Sequence, residues 1–398
     1  TLRQMLGTTA AGGTRAIPVG TQGGDNMALK VAIAAGGTAG HINPALALAE
    51  ELKDRGDEVS FFGQPNRLEA TLVPQAGFPF FETHITGFDR ARPWTLVFAL
   101  VRMEHAEKQI AEYFEKVGKP NVAVGFGAYV EMPLLRWCHA NNVPVVIHEQ
   151  NSVPGLANKS CAHFAAIVCL SLPAAKDAFR KDIGPETTVM VTGNPVRRSV
   201  INASREKGRD DFQVPQDAEM LLVFGGSLGA RHLNSAVANM KDELLSRKNL
   251  YVIHSTGRQD FDAVKEHLNL TAQEQKRYHI MPYIDSMGEA LAAADAVISR
   301  AGASSIAEIA ALCVPSILVP YPKATADHQT INARYLVDHG AAKLTPDSEI
   351  DGEGFKQEVL HLIDHQEERE KMRKAAHGLG QAHAACALAD AVEMAQSS

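Results

Sequence analysis

The sequence predicts an α/β protein of two doubly wound parallel-sheet domains that face each other across a cleft. Three observations carry that reading. The chain has 398 residues, more than one hydrophobic core comfortably supports. Apolar, β-branched runs alternate with helical patterns, the order that builds a parallel sheet with helices on both faces. A strand followed by a glycine turn and a helix occurs twice, near residues 30–52 and 221–234, so both halves open with the same device.

The elements follow in order. Residues 1–26 are rich in Gly, Thr and Ala without apolar periodicity or a continuous apolar run, and read as a disordered extension that carries no chemistry. A strand over 30–35 runs into Gly36-Gly37-Thr38-Ala39-Gly40-His41, and a helix is predicted from Asn43-Pro44. Glycines admit positive φ and let another molecule approach the backbone, while the helix start presents unpaired N–H groups, so such a turn suits phosphate. It is also made by α/β proteins that bind nothing there. Gly56 stops the helix, 58–62 reads as a second strand, and further strands are placed at 122–125, 143–147 and 167–170. The first domain closes around 188–197, and a charged, aperiodic connection spans 204–219. The second domain repeats the pattern with strands at 221–224, 251–254, 278–280, 296–299 and 316–320. The helical stretch over 367–395, interrupted by Gly378 and Gly380, is long enough to cross back onto the first half. The expected limits are 27–196 for the first domain and 197–379 for the second, with a helix at about 380–396 packing back on the first.

Composition excludes several classes. Hydrophobic residues at 45% and charged residues at 21% are those of a soluble globular chain. A net charge of −7 argues against general nucleic-acid binding, which needs a basic face. No apolar stretch approaches the roughly 20 residues that span a bilayer. The 5 cysteines form no Cys-x-x-Cys pair and suggest neither zinc nor disulfides, which fits a reducing cytoplasm.

Five further strings lie where α/β domains place ligands. The second glycine turn, Gly225-Gly226-Ser227-Leu228-Gly229, lacks the dinucleotide spacing, as does the first. In 299–311, a strand end and a small-residue turn put Ser304 and Ser305 at a helix start suited to a diphosphate, with Glu308 a turn later in reach of a ribose diol; a serine N-cap with a first-turn acid explains the same residues. The segment 321–333 offers Asp327, His328 and Gln329 to sugar hydroxyls, or is a solvated loop. In the first half, His148-Glu149-Gln150-Asn151 crowds polar groups at the end of a buried strand, which is costly unless they face a cleft. Arg197, in Asn194-Pro195-Val196-Arg197 near the expected hinge, is either a phosphate contact or a surface ion pair.

Taken together and in order, Gly36 to His41 with Asn43-Pro44, His148 to Asn151, Gly193 to Arg197, Gly225 to Ala230, Ile284-Asp285-Ser286-Met287, Arg300 to Glu308 and Asp327 to Asn332 resemble the MurG family of bacterial lipid I N-acetylglucosaminyltransferases. The resemblance implies a GT-B fold of two Rossmann-like domains, UDP-N-acetylglucosamine as donor, and lipid I, the undecaprenyl-diphosphate-linked muramoyl pentapeptide, as acceptor, giving lipid II for peptidoglycan synthesis. It implies that the second domain binds the nucleotide sugar, with Ile284 by the uracil, Ser227 and the Ala303-Ser304-Ser305-Ile306-Ala307 turn by the phosphates, Glu308 by the ribose and Gln329 by the sugar. Thr38, Ala39, Gly40, Asn151 and Arg197 complete the cleft on that reading, and the first domain takes the acceptor and faces the membrane. Ala39 departs from the glycine that many members carry, and fits there only with negative φ.

Transfer to a hydroxyl with inversion needs a base. His41 is the best-placed candidate, since its ordinary pKa lies near working pH, with a structural role as the other reading; Glu149 is a second, weaker candidate. No cofactor is expected. The one Asp-x-Asp string, Asp260-Phe261-Asp262, opens a predicted helix and reads as first-turn acids rather than a metal site, which leaves the departing charge to the helix start at Ser304 and Ser305. Arg90, Arg92, Trp94, Leu96, Phe98 and Arg102 mix basic and apolar side chains, as a peripheral contact with the anionic cytoplasmic face of a membrane would need; a buried helix is the other reading. Other cell-wall synthesis proteins are further candidate partners, and no nucleic acid is expected. The alternatives are another GT-B enzyme using a UDP or TDP sugar, a UDP-sugar epimerase of the same architecture, or a nucleotide-sugar-binding protein without turnover.

Overall fold

The computed structural model describes residues 28–85, 95–226 and 230–397, and of residues 95–97 the backbone only. Strands β1 (Lys30–Ala34), β2 (Glu58–Gly63), β3 (Phe80–Glu82), β4 (Val122–Gly125), β5 (Val145–Glu149), β6 (Ile167–Leu170) and β7 (Thr188–Val191) form one sheet in the order β3-β2-β1-β4-β5-β6-β7. Strands β8 (Glu219–Phe224), β9 (Leu250–Ser255), β10 (Tyr278–Met281), β11 (Ala296–Ser299), β12 (Ser316–Leu318) and β13 (Ala342–Leu344) form the second, in the order β10-β9-β8-β11-β12-β13. Every pairing is parallel; in register, Val31 lies between Val59 and Val122, and Leu222 between Ile253 and Val297. Both sheets therefore reverse direction between their first strand and the one on its other side, β1 against β4 and β8 against β11. That is the place where open α/β sheets hold ligands.

Each sheet is buried on both faces, which is why its strands are runs of Val, Ile and Ala rather than alternating patterns. On one face of the first sheet Val31, Ile33 and Phe61 pack against Leu46, Ala49 and Leu52 of the helix Ala39–Asp54. On the other, Phe62, Ala123 and Ile147 meet Ile110, Phe114, Leu134 and Leu135. Each such fully buried Val, Leu, Ile or Phe side chain contributes about 1.5–3 kcal/mol relative to exposure. The second sheet is covered in the same way by two clusters, one around Leu233, Val237 and Phe355 and one around Leu291, Ile309 and Leu336.

The helix Ala384–Gln396 lies against the first sheet, where Leu388, Ala389 and Val392 complete the cluster of Ile33 and Leu48. Arg55 fastens it by ion pairs to Asp390 (2.7 Å) and Glu393 (2.8 Å). The chain thus crosses between the sheets twice, after β7 and before this helix. The crossings touch: Gly193 has φ +86°, and the side chain of Gln381 fills the space a Cβ there would need.

Several boundaries differ from the sequence reading, among them the 204–219 connection, which contains the helix Arg205–Asp211 and ends in β8 from Glu219. The first helix begins at Ala39 rather than Asn43, so Pro44 is internal to it, although proline is favoured near a helix start. β5 runs on through His148 and Glu149, which the sequence placed after the strand. The three-residue edge strands β3 and β13 were not anticipated, being too short to show a period.

Candidate active site

The end of β1 and the helix after it form one wall of the cleft. Gly37 takes φ +86°, and a Cβ on Gly36 would stand 2.5 Å from Glu69 Oε1. Glu69 is fully buried. It accepts hydrogen bonds from Gly37 N and Gln64 N, both at 3.2 Å, so a carboxylate holds the glycine turn from behind. Thr38 is the N-cap residue, with no side-chain cap, and Ala39 opens the helix outside the positive-φ region, so alanine is accommodated there without strain.

His41 therefore sits in the first helical turn. Its Nδ1 lies 3.1 Å from Gly36 O and 3.4 Å from Thr38 Oγ1. A carbonyl only accepts, so Nδ1 carries the proton and Nε2 of the neutral ring keeps its lone pair. Burial lowers the pKa of His41 below the ordinary 6.5, against the opposing pull of Glu149, the Gly36 carbonyl and Glu69. A neutral imidazole with a free Nε2 is the form a general base requires.

Pro44 has no N–H and cannot bond the carbonyl of Gly40 four residues earlier. Ser304 Oγ donates to that carbonyl from across the cleft at 3.4 Å. The proline thereby frees an acceptor at the point where the two halves meet.

The opposite wall is the helix Ala303–Ala311. Its N-cap is Gly302, extended at φ −65°, and no side chain caps the first turn, which contains no acid. The serine-cap explanation therefore does not apply. Ala303, Ser304 and Ser305 present open N–H groups, the arrangement that holds a phosphate, and the helix ends at Ala311 after Ile306 and Ala307. Glu308 lies one turn on, and its carboxyl is pushed up to about 7 by burial, with Arg197 acting in the opposite direction. Gln329 Oε1 accepts from Ala301 N (3.2 Å) and Tyr321 N (2.9 Å), tying the ends of β11 and β12 together beneath this wall.

Several expected site residues have other work. His148 is a fully buried strand residue whose Nε2 donates to Gly193 O at 2.8 Å; burial pulls its pKa down to about 4. Glu149, the second candidate base, is 2% exposed. Its oxygens accept from Asn151 N, Gly155 N and Asn158 Nδ2 at 2.9–3.0 Å. It organises the loop after β5 and acts on His41 through its charge, so the Glu149 carboxylate is satisfied by the chain itself, while Gln150 Oε1 is buried without a partner. Arg197 pairs with Glu50 at 2.8 Å, and its phosphate role would require leaving that partner. The Ile284 side chain is buried in the second-half core, so only its backbone can meet a base. Asp260 is the N-cap residue of the helix Phe261–Leu268 and pairs with Arg231 at 3.0 Å, with Asp262 in the first turn.

Ser227 lies outside the described residues, as do Arg90, Arg92 and Trp94 and the side chain of Leu96. In the helix Thr95–Val117, Ala99, Met103, Ala106 and Ile110 form the buried stripe, while Phe98, Leu100 and Val101 are exposed, with Arg102 beside them. Among the described residues no helix is long and apolar enough to cross a membrane.

The sequence reading did not single out Asn332. It is fully buried, accepts from Ser152 N at 3.0 Å and donates to Asn151 Oδ1 at 3.3 Å, joining the two walls. Glu69 was missed as well, because nothing in its surrounding sequence marks the glycine turn it supports.

The glycosyltransferase family 28 N-terminal domain matches residues 31–169, and the family's C-terminal domain matches residues 220–389. The UDP-N-acetylglucosamine–N-acetylmuramyl-(pentapeptide) pyrophosphoryl-undecaprenol N-acetylglucosamine transferase of Halothermothrix orenii is 36% identical, covering 92% of this chain and 98% of its own. The transferase of the same name from Carboxydothermus hydrogenoformans is 38% identical, covering 87% and 92%. Among solved structures, Acinetobacter baumannii MurG superposes with a TM-score of 0.68 at 27% identity, covering 92% of this chain and 99% of that one. The calicheamicin glycosyltransferase, at 17% identity and a TM-score of 0.62, shares the fold.

Proposed function

The chain belongs to the MurG family within glycosyltransferase family 28, and from that premise we propose that its cleft transfers N-acetylglucosamine from UDP-N-acetylglucosamine to undecaprenyl-diphospho-muramoyl pentapeptide. The product is the disaccharide lipid used in peptidoglycan synthesis. The observation that carries the reading in this molecule is the apposition of an uncapped helix start at Ala303 with the turn that holds a neutral His41, joined by Ser304 and Gly40.

The chemistry follows from those two walls. The donor diphosphate sits on the N–H groups of Ala303, Ser304 and Ser305, where the helix contributes about 0.3–1 kcal/mol per charge contact. Glu308 takes the ribose hydroxyls, Gln329 the sugar, and the backbone of Ile284 the base. The acceptor hydroxyl gives its proton to His41 Nε2 as its oxygen attacks the anomeric carbon from the face opposite UDP. The carbon–oxygen bond to the diphosphate breaks, the electron pair leaves with UDP, and the configuration inverts. Since Asp260 is taken up by Arg231 and a helix start, the departing charge falls to the Ala303 helix rather than to an Asp-x-Asp metal, on this reading. The acceptor lipid is reached from the cytoplasmic face of the membrane, with Phe98, Leu100 and Val101 entering the headgroup region.

Radiolabel transfer from UDP-N-acetylglucosamine to a lipid I analogue tests the activity directly, with and without EDTA. Transfer that persists on chelation supports the scheme; donor binding without transfer sinks it in favour of a sensor, and loss of donor affinity on chelation sinks the metal-free account. For the membrane face, Phe98→Asp with Val101→Asp is expected to reduce sedimentation with anionic vesicles while leaving transfer to a soluble acceptor analogue unchanged. Equal sedimentation of variant and wild type would reject that surface.

A further inference from the structure

Behind the donor wall lies a charged network that the scheme above does not use. The Arg300 side chain, at the end of β11, is 6% exposed. Its Nη1 donates to the carbonyls of Val319 and Pro320, both at 3.2 Å, and pairs with Asp347 Oδ1 at 2.5 Å. Its guanidinium also lies over the ring of Tyr321, 5.7 Å from the centroid. Asp347, in the short turn after β13, is held in turn by His232, whose Nδ1 stands 2.7 Å from Asp347 Oδ2 and whose Nε2 stands 2.9 Å from Asp351 Oδ2. A carboxylate accepts and does not donate, so a ring bonded to carboxylates through both nitrogens is the imidazolium. The chain of contacts is His232, Asp347, Arg300, then the backbone at the end of β12.

What that backbone leads into is strained. Ala326 and Asp327 both adopt left-handed φ, at 50° and 52°. Consecutive non-glycine residues in that region persist only when their surroundings hold them. Two residues on, Gln329 is clamped between Ala301 N and Tyr321 N, the backbone groups directly after Arg300 and Pro320. The buried guanidinium is therefore tied at the two points from which Gln329 hangs.

We propose that Asp347 is a positioning residue for the donor site: held by His232, it fixes Arg300, and Arg300 holds the strained 320–329 segment so that Gln329 stays directed at the donor sugar. This inference rests on the donor reading of Gln329 given above. Asp347 touches no part of the donor itself. Because the clamp uses an imidazolium, donor affinity falls as His232 loses its proton. The charged groups around His232 are Asp347 and Asp351 from the segment after β13, Arg300 on the far side of Asp347, and Arg231 on its own helix, which is engaged by Asp260. Both aspartates raise the pKa of His232 above 6.5, so the loss comes at a higher pH than a free imidazole would give.

The test uses the full chain, with UDP-N-acetylglucosamine binding by calorimetry and steady-state transfer to a lipid I analogue, for wild type, Asp347→Asn and His232→Gln. Changes away from a ligand typically alter coupling by about two- to thirtyfold, so Asp347→Asn is expected to raise KM for the donor about tenfold at pH near 7. In both variants kcat stays close to wild type. Wild-type donor affinity weakens as pH rises above the ordinary imidazole range, and His232→Gln lacks that component of the pH dependence. A merely structural role lowers the amount of active enzyme, hence kcat, and leaves KM and its pH dependence alone; that result overturns the proposal. His232→Gln, at a half-exposed position, keeps the test decisive if Asp347→Asn fails to fold. If the wild type does not bind UDP-N-acetylglucosamine at all, the donor reading falls and this inference with it, whereas wild-type binding matched by both variants rejects the positioning role alone.

Discussion

Alanine at Gly36, Gly37 and Gly40 should have three different effects, although all three lie in one six-residue string. At Gly36 the new Cβ meets Glu69 Oε1 at 2.5 Å, Glu69 Cδ at 2.9 Å and Val130 Cγ1 at 3.0 Å. None of these is the loose end of a surface side chain, since Glu69 is fully buried and bonded to two backbone N–H groups. Overpacking of this kind costs about 1–3 kcal/mol. If Glu69 swings away instead, two hydrogen bonds to a charged group are lost, at about 1.5–3 kcal/mol each. Relaxation takes the cheaper route, so about 3 kcal/mol is expected for Gly36→Ala, a fall in melting temperature of roughly 6–12 °C for a domain of this size. At Gly37 nothing lies within 4 Å and the cost is only that of φ +86°, about 1–2 kcal/mol. At Gly40 the nearest atom is Thr38 Oγ1 at 3.4 Å and the residue is helical, so alanine is neutral or gains about 0.5–1 kcal/mol. Thermal unfolding of the three variants, followed by tryptophan fluorescence and calorimetry, ranks them. Equal melting temperatures for Gly36→Ala and Gly40→Ala would refute the argument that Glu69 supports the turn from behind.

His41→Ala should lower kcat by about 10²–10⁴-fold with donor affinity retained; in the wild type, kcat should climb through a pKa below 6.5 and stay level above it, because the lowered pKa keeps the base form present at neutral pH. An unchanged rate in the variant would remove His41 as the base. Glu308, with its carboxyl near 7, should add its own titration of donor affinity around neutrality, and Glu308→Gln should remove that component in calorimetry while the His232 component remains. Glu131, fully buried, is pushed up to about 8 by burial. Its folded pKa exceeds its unfolded one, so its contribution is most favourable in acid and is lost as pH rises toward 8. Glu131→Gln should therefore gain stability over wild type by at most about 1.4 kcal/mol per pH unit in that window, and parallel pH-stability curves would reject the assignment.

The architecture was legible because both sheets are buried on two faces. Continuous runs such as 122–125, 167–170 and 296–299 mark strands whose ends the structure leaves unchanged. What could not be read lies in long-range pairing. That Glu69 returns to Gly37 across 32 residues, or that Asn332 reaches Ser152 across 180, is invisible locally. At 148–151 the cost of burial was apparent, while the donors that meet Glu149, at Gly155 and Asn158, were not known to fold back. Pro44 misplaced the helix start for a related reason: its missing N–H is made good by a serine from the other half of the molecule.

The last helix has a consequence for how the chain matures. Leu388, Ala389 and Val392 complete a core whose other members lie between Val31 and Met190. On a ribosome the first sheet emerges long before those residues do, and its face against the helix Ala39–Asp54 stays incomplete until residues 388–395 have been made. Folding of the first half is thereby timed by the synthesis of the helix Ala384–Gln396. Removing the helix Ala384–Gln396 strikes the half that was made first, exposing Ile33 and Leu48 to whatever chaperone or protease is nearest.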